Sequence, residues 1–472
     1  MVPTAYIPVN YIPVLISGKT DRRRLRQFGA TVDLRQLDEG QVNKAERGLN
    51  DFEQRLRQAW GQTLKVDAES IRLEDNFFVL GGDSLAAMRL VSVCREQNLE
   101  VTVANTFDHP TLGAMASVVR IQDLQKYAET SPFSMLAQTA DSACHEATKI
   151  YGFDQAAIED IYPCTPTQES LFTFSLKSIK PYIAQRVACI PSLISTDSLK
   201  RAWEDVVACC PILRTRLAQL QQERGLQQVV LKESISWNES TNLAQYLTDD
   251  KQRRMDLGQS LARYAIVNDS KDGKRYMVWT VHHVLYDGWS EPIILKKVSD
   301  TLNGLSIGFQ TQMREFVKFV RDTDEMELQA YWKRELKDAV GPQFPRLPSR
   351  DYVPTPDAMV EHHISIETGK RSQFTMATLI RGAWALVASQ YTRSDDVVFG
   401  ETLTGRDIAL AGVENIVGPL IATVPVRIYV HRASSVEGYL QAIQQGMMGR
   451  TRYQHMGMQN IRKVSRDAQH AC

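Results

Sequence analysis

A serine at the start of a predicted helix is the first residue whose setting suggests chemistry. Ser84 lies in the run Gly81-Gly82-Asp83-Ser84-Leu85, between an apolar stretch and a segment with apolar residues at helical spacing. The glycines allow a tight turn, and Asp83 and Ser84 fall at cap or first-turn positions, where side-chain oxygens can meet free N–H groups. We expect Ser84 to be exposed. The local pattern leaves three roles open for it: a helix cap, a nucleophile or an attachment point for a prosthetic group.

A pair of histidines forms the second candidate site. His282 and His283 end a run rich in β-forming residues, 276–281, and a helix is predicted from Glu291 with Ser290 as its cap. A neutral imidazole can accept the proton of an attacking amine or hold the amine lone pair in line with a carbonyl. His283 is the candidate for that work. The alternative is one satisfied core histidine and one loop histidine.

An acid and a glycine follow the histidine pair. Asp287 lies four residues after His283, with Gly288 next to it. An ionised carboxylate beside an arginine can fix a loop without titrating near neutral pH, and a glycine suits a tight turn. The second pair, His362-His363, lacks a following Asp-Gly, so we predict that it is structural.

Helices must position the serine. Apolar residues at steps of three and four predict a helix over about 41–63 and another after Ser84, and a turn over 105–112 leads into a further short helix. We therefore expect three to four helices over 41–120. Residues 121–155 show weak periodicity and predict a linker with room for one helix.

An alternation of strand and helix patterns must position the histidines. The two prolines in 161–168 predict rigid, extended backbone. A helix from about Thr196 is expected to end before Pro211, and a strand is expected over 212–217.

The length and amino-acid composition of the chain restrict the class of protein. A chain of 472 residues with 55 basic and 55 acidic side chains fits about three globular domains and gives no sign of a nucleic-acid partner. Seven scattered cysteines without a Cys-x-x-Cys pair indicate reduced thiols, and we predict no metal site. No apolar run reaches the ~18 residues that span a bilayer, and the start lacks the layout of a signal peptide. We therefore expect a cytoplasmic protein without a membrane partner.

The stretch 78–85 resembles the modification site of acyl and peptidyl carrier domains, and the resemblance covers all of 41–120. It implies that 4'-phosphopantetheine is esterified to Ser84, with Gly82, Asp83 and Leu85 completing the recognised run. A phosphopantetheinyl transferase would transfer this arm from coenzyme A. The arm would then hold an aminoacyl or peptidyl group as a thioester.

The run His-His-x-x-x-Asp-Gly resembles the condensation domain of nonribosomal peptide synthetases of the fungal type. The stretches 163–168 and 418–427 carry the same resemblance. It implies a two-lobed α/β fold of the chloramphenicol-acetyltransferase type over 156–472, with the first lobe ending near 335. It also implies peptide-bond formation in the biosynthesis of a secondary metabolite.

Site roles follow from this resemblance. His283 would be the active-site histidine and His282 its partner. Asp287 would be a structural acid and Gly288 its turn. Arg406 is the expected salt-bridge partner of Asp287.

Both ends of the chain resemble parts of larger domains. Residues 1–30 are similar to the close of an adenylation domain, in which Lys19 matches a lysine that contacts the carboxylate and phosphate. The nucleotide pocket of that domain is absent, so we expect Lys19 to be vestigial. The run 453–461 matches a late motif of condensation domains, after which family members continue. We therefore expect an incomplete second lobe, and a multidomain fragment that works with an adenylation domain and neighbouring modules.

Several rival functions remain at this point. Gly82-Asp83-Ser84-Leu85, with Asp467 and His470, imitates a GDSL-type serine esterase, but no Gly-x-Asn-Asp stretch accompanies them. The histidine pair argues against a heterocyclising enzyme, and the flanking stretches disfavour an epimerase. A terminal, macrocyclising condensation domain is a closer alternative, although its fungal forms often lose the first histidine or the glycine. A carrier scaffold with an inactive condensation part is the non-enzymatic alternative.

Overall fold

The structure is a computed structural model that describes residues 49–121, 130–177, 182–308, 311–339, 341–342, 344–349, 352, 357–363, 374–408, 410, 412–431 and 433–472. Lys19 and the predicted adenylation remnant, 1–30, lie outside the described residues, as do 41–48 of the predicted carrier helix and 122–129 of the predicted linker. By its contacts the chain divides into residues 1–54 and residues 55–472.

Four helices and one short strand pair make up the first described segment. They are α1 (Asp51–Leu64), α2 (Ser84–Glu96), β1 (Leu99–Glu100), α3 (Val103–Asp108), α4 (Leu112–Val118) and β2 (Arg120–Ile121). β1 and β2 pair antiparallel, which the sequence did not predict. The core is aromatic and aliphatic: Trp60 meets Phe77 edge to face at 5.1 Å, and Leu90 and Leu112 are fully buried.

Helix α1 starts later than predicted. Leu49 precedes it, because Asn50 and Glu53 form a reciprocal cap: Glu53 N–H donates to Asn50 Oδ1 at 2.9 Å, and Asn50 N–H donates to Glu53 Oε2 at 2.9 Å. This arrangement satisfies the free N–H groups at the helix start.

Two sheets form the next part of the chain. The three-stranded sheet has the order β3-β6-β5, and the four-stranded sheet has the order β4-β9-β8-β7, in which only the β7–β8 pair is parallel. The strands are β3 (Ile158–Pro163), β4 (Ile183–Cys189), β5 (Thr215–Gln219), β6 (Leu226–Leu231), β7 (Trp237–Ser240), β8 (Ala262–Asn268) and β9 (Arg275–His282). The helices are α5 (Ala140–Tyr151), α6 (Pro166–Lys177), α7 (Thr196–Cys209), α8 (Leu243–Gln252), α9 (Ser290–Leu302) and α10 (Met313–Arg321).

A second group of elements surrounds one antiparallel hairpin. Strands β10 (Asp396–Leu403) and β11 (Ala422–Tyr429) pair along their whole length. The helices are α11 (Glu325–Glu335), α12 (Met376–Thr392), α13 (Val436–Thr451), α14 (Met458–Ile461) and α15 (Arg466–Ala471). A separate hydrophobic core joins them, with the buried Trp332 of α11 packed among side chains such as Val424 and Ile461.

Two predicted elements were wrong. The strand expected over 212–217 begins only at Thr215, because Pro211–Arg214 forms a 3-10 turn that starts at the proline. The extended backbone expected over 161–168 ends at Pro163, because Thr165 and Gln168 cap a helix. Thr165 N–H donates to Gln168 Oε1 at 3.0 Å, and Gln168 N–H donates to Thr165 Oγ1 at 3.2 Å. Pro166 then occupies the first helical position, where its missing N–H costs nothing.

None of the helices in the described part of the chain is both long and apolar enough to cross a membrane. The pair His362-His363 lies in an exposed stretch without regular structure, where His363 Nε2 is 3.4 Å from Glu361 Oε1.

Candidate active site and carrier serine

Asp83, not Ser84, occupies the cap position of helix α2. Its backbone is extended, with φ −128° and ψ −175°, and its Oδ1 accepts from Ala86 N–H at 2.7 Å. Ser84 is the first helical residue. The cap function that a serine could serve in this run is therefore performed by its neighbour.

The two glycines before the cap residue are needed for different structural reasons. Gly81 has a φ of +104°, in the region that side chains disfavour. Gly82 donates its N–H to Phe77 O at 2.9 Å, and a Cβ there would lie 2.4 Å from the Phe77 ring. The aromatic core therefore sets the turn that precedes Ser84.

His282 is a buried, neutral ring. It is fully buried at the end of β9, and its Nδ1 accepts from Val284 N–H at 3.1 Å. Burial, followed by the nearby His283, lowers the pKa of His282 to about 4. This histidine holds the backbone of the loop that follows it.

His283 is the half-buried member of the pair. Its N–H donates to Tyr182 O at 2.8 Å, and its ring stacks on Tyr286 with centroids 5.0 Å apart. Its Nδ1 is buried and meets no hydrogen-bond partner among the described residues. The stacking and the backbone bond thus fix the position of the imidazole ring.

Asp287 is fully buried and surrounded by donors. Its Oδ1 accepts from Ser290 N–H at 2.7 Å and from Trp289 N–H at 3.1 Å, and its Oδ2 accepts from Leu420 N–H at 2.9 Å. Ser290 Oγ also donates to Oδ1 at 2.9 Å. These bonds engage both carboxylate oxygens in holding the backbone.

Ser290 does not cap helix α9 as predicted. Trp289 is the cap residue, without a side-chain cap bond, and Ser290 is the first helical residue. The prediction was wrong because the oxygen that satisfies the first N–H groups of this helix belongs to Asp287, three residues upstream of Ser290.

Arg406 lies against Asp287, where the sequence analysis expected it. Its Nη2 is 3.2 Å from Asp287 Oδ1, and its Nη1 donates to Val413 O at 2.8 Å and to Ile416 O at 2.9 Å. Burial lowers the pKa of Arg406, and Asp287 opposes this. The guanidinium thus ties the loop between β10 and β11 to the loop after β9.

Gly288 lies in a turn, as expected, but this turn does not use the conformational freedom of glycine. Its φ lies outside the left-handed region, and a Cβ added there would meet no heavy atom within 4 Å. The residue is exposed and borders a cleft of about 870 Å³ that Gly81, Arg89 and Pro292 also line. Backbone strain therefore does not require glycine at this position.

Gln168 belongs to the site although its role was missed. Its Nε2 donates to Val284 O at 3.1 Å and to Gln228 Oε1 at 2.9 Å, while its Oε1 caps α6. The side chain is fully buried. The Thr-x-x-Gln spacing is a capping-box signature and could have revealed the cap, but no sequence signal points to Val284.

The serine-esterase arrangement receives no support from the C-terminal residues. Asp467 lies in α15, where its Oδ2 accepts from Asp338 N–H at 3.0 Å, and His470 is exposed. In the described ranges, no group of three or more His, Cys, Asp or Glu side chains could hold a metal ion. All seven cysteines are described, and none of them forms a disulfide bond.

The fold and the loop geometry agree with two family models. The model described as "Condensation domain" matches residues 158–471, and the one described as "Phosphopantetheine attachment site" matches residues 54–119. The chain therefore belongs to the condensation-domain family, with a carrier domain of the phosphopantetheine-attachment family ahead of it. The covalent cofactor of that carrier family is 4'-phosphopantetheine.

Fungal synthetases match the chain over its whole length. Nonribosomal peptide synthetase sidD of Aspergillus fumigatus is 69% identical over 100% of this chain and 23% of its own length. Nonribosomal peptide synthetase 6 of Cochliobolus heterostrophus is 41% identical over 100% of this chain and 27% of its own length. The chain thus spans about a quarter of the length of these relatives.

Solved structures agree on the fold. A crystallised protein designated CT has a TM-score of 0.56 at 20% identity, over 71% of this chain and 78% of its own. A mutant starter condensation domain of the rhizomide synthetase has a TM-score of 0.50 at 16% identity, over 65% of this chain and 76% of its own. The predicted fold class, a helical carrier followed by a chloramphenicol-acetyltransferase-like condensation domain, is confirmed.

The cleft beside α2 suits the arm of a carrier domain. It lies between the helix that Ser84 begins and the segment 288–293 after the histidine loop, and glycines border it on both sides. At Gly81 and Gly288 alike, an added Cβ would meet no heavy atom within 4 Å. The open space at these two glycines leaves room in the cleft for a slender, flexible chain such as phosphopantetheine.

Proposed function

We propose that this chain is a section of a nonribosomal peptide synthetase in which Ser84 bears phosphopantetheine and His283 serves amide formation. One observation carries the proposal: a half-buried histidine lies in a loop that the buried Asp287–Arg406 pair fixes, in the same chain as a phosphopantetheine-attachment domain. When bound, phosphopantetheine supplies a thiol on which an acyl group is carried as a thioester.

The proposed reaction joins that acyl group to an amine. The amine nitrogen bonds to the carbonyl carbon as the carbon–sulfur bond breaks. The nitrogen loses one proton and the departing sulfur gains one, so that an amide and a free thiol result. A free α-amino group has a pKa near 8 and is mostly protonated at neutral pH, so the site must favour its neutral form.

His283 holds the amine and accepts its proton in this proposal. Its stacking on Tyr286 and its backbone bond to Tyr182 fix the ring. His282 stays neutral and positions the loop through Val284 N–H. Asp287 is a structural acid in this proposal, because Arg406 and the backbone N–H groups of Ser290 and Leu420 engage its carboxylate oxygens.

The remaining assignments are parts of the same proposal. We assign 41–120 to the carrier, 121–155 to a linker and 156–472 to the condensation domain, with its first lobe ending near 335. Residues 1–30, including Lys19, are assigned to the tail of an adenylation domain, on the strength of the Ser17-Gly18-Lys19 run.

The partners and compartment follow from these assignments. A phosphopantetheinyl transferase using coenzyme A installs the arm, an adenylation domain loads it, and neighbouring modules supply and receive the intermediates. We assign the protein to the cytoplasm, which suits seven cysteines without disulfide bonds.

Intact-protein mass spectrometry tests the carrier part first. The chain is incubated with coenzyme A, magnesium and a broad-specificity phosphopantetheinyl transferase, beside a Ser84→Ala variant. The expected result is a phosphopantetheine-sized gain in mass that Ser84→Ala abolishes. No gain on folded protein would contradict the proposal.

A further inference from the structure

Glu414 joins the condensation domain to the helix that begins at Ser84. Its Oε1 accepts from Ser92 Oγ at 2.8 Å, and its Oε2 lies 3.9 Å from Arg95 Nη1. Only 13% of the Arg95 side chain and 19% of the Glu414 side chain are exposed. The pair is therefore shielded enough from solvent to matter more than an ordinary surface ion pair.

The contact uses one face of helix α2. Ser92 and Arg95 are three residues apart, and Met88 lies four residues before Ser92, so all three share a face. Thr404 Oγ1 donates to Met88 Sδ at 3.8 Å, which extends the contact along the helix. The condensation domain thus meets this face at two points, Thr404 and Glu414.

The backbone of Glu414 is held by the histidine loop. Trp289 Nε1 donates to Glu414 O at 3.0 Å, and Arg406 Nη1 binds Val413 O and Ile416 O on either side. Trp289 N–H and Arg406 Nη2 also bond to Asp287. Glu414 therefore projects from the same hydrogen-bonded unit that fixes the loop bearing His283.

We propose that Glu414 is the residue by which the condensation domain recognises the carrier of its own chain. The partner that it fits is a carrier helix with a hydroxyl and, three residues on, an arginine. A carrier with an acid in place of Arg95 would place two negative charges together and be rejected. The biological use of this contact rests on the function proposed above, whereas the contact itself does not.

Hydrogen exchange of the full chain, followed by mass spectrometry, tests the proposal. Glu414→Arg and Arg95→Glu each place like charges together, and the double variant restores an opposite pair. We expect each single variant to raise exchange in peptides from 84–96 about fivefold, and the double variant to return it most of the way. Glu239→Arg is the control, because it breaks an exposed ion pair with Lys200, within the condensation domain.

Three outcomes decide the matter. Unchanged exchange over 84–96 in Glu414→Arg would overturn the proposal, and so would a double variant no better than the single ones. If Glu414→Arg loosens the whole condensation domain, Arg95→Glu decides, because it leaves that domain unaltered.

Loading of Ser84 is measured on the same variants by intact mass. If Ser84 is loaded normally and exchange over 84–96 is unchanged in the variants, only the docking role of Glu414 is overturned. If the variants raise exchange over 84–96 but Ser84 never accepts the arm, the carrier function is overturned. The contact between Glu414 and the helix is still supported in that case.

Discussion

Two adjacent histidines differ because their surroundings differ. His282 is fully buried, and its Nδ1 accepts from Val284 N–H. His283 is half-buried, and its ring lies on Tyr286. The sequence alone does not distinguish the two rings. Alternation along a strand predicts which side chains face the core, but β9 ends at His282, so alternation gives no prediction for His283.

Replacement of His282 by alanine should destabilise the fold. It leaves Val284 N–H buried without an acceptor and opens a cavity beside Phe172, so we expect a loss of about 2–4 kcal/mol in the free energy of unfolding. Urea unfolding measures it. His362→Ala is the matched control from an exposed pair and should change stability by less than about 0.5 kcal/mol. Equal losses for the two variants would contradict the assignment of His282 as a loop-holding core residue.

Gly288 should accept alanine without loss of stability. A Cβ there meets no heavy atom within 4 Å and the φ is ordinary, so we expect a change within about 1 kcal/mol in thermal or urea unfolding. Gly405→Ala is the contrasting control, because its Cβ would overlap Leu420 O in a backbone with φ +69°. A large loss for Gly288→Ala would show that this turn requires glycine.

At the scale of elements, one buried ion pair joins two loops. Arg406 binds Asp287 and the carbonyl oxygens of Val413, Ile416 and Gly418, and so holds the β10–β11 connection against the start of α9. A pair of this kind is costly to break from one side, because the remaining charge stays buried.

Arg406→Ala should therefore be among the most damaging single changes. We expect about 3–5 kcal/mol of lost unfolding free energy, from the uncompensated Asp287 and the freed carbonyl groups. Lys200→Ala, which breaks the more exposed pair with Glu239, should cost less than about 1 kcal/mol. Denaturant titration compares them. Similar losses would show that the Asp287–Arg406 pair does not hold the two loops together.

Some secondary-structure elements could be predicted from the sequence, whereas contacts between distant positions could not. Strand β9 was predictable from its run of β-forming residues, and helices α2 and α7 from apolar residues at steps of three and four. Helix α9 was predictable because its run begins after a turn. The Asp287–Arg406 pair spans 119 residues of sequence, so only the family resemblance suggested it. Gln168 was missed for the same reason: its bond to Val284 joins positions that no local spacing connects. Ser290 was misread because the acid that satisfies its helix start lies outside the usual cap position.

At the scale of the molecule, buried histidines make stability depend on pH. His455 is enclosed between Phe316 and Gly405, whose carbonyl oxygen lies 3.0 Å from Nε2. Burial lowers the pKa of His455 to about 4, well below the value of an exposed ring. The unfolded chain therefore binds the extra proton first as the pH falls.

Stability should fall between pH 7.5 and pH 5 in consequence. The stabilising contribution of neutral His455 is present above the unfolded pKa of about 6.5 and is lost as the pH falls below it, at about 1.4 kcal/mol per unit. His455→Gln keeps a donor for Gly405 O but does not titrate. We expect its loss of unfolding free energy from pH 7.5 to 5 to be about 2 kcal/mol smaller than that of the wild type. Equal losses in the wild type and in His455→Gln would show that another group causes the pH dependence.

In the proposed function, one chain both carries an acyl group and transfers it at His283. The most direct measurement loads Ser84 with an aminoacyl-phosphopantetheine arm, adds a soluble amine in excess, and follows the chain by intact mass in a single turnover. We predict that the wild type forms the amide and releases the acyl group at least about 100-fold faster than His283→Ala, since positioned proton transfer contributes at least that factor. Loading of Ser84 should be equal in both. Equal release rates from well-loaded, folded proteins would contradict the assignment of His283 as the catalytic histidine.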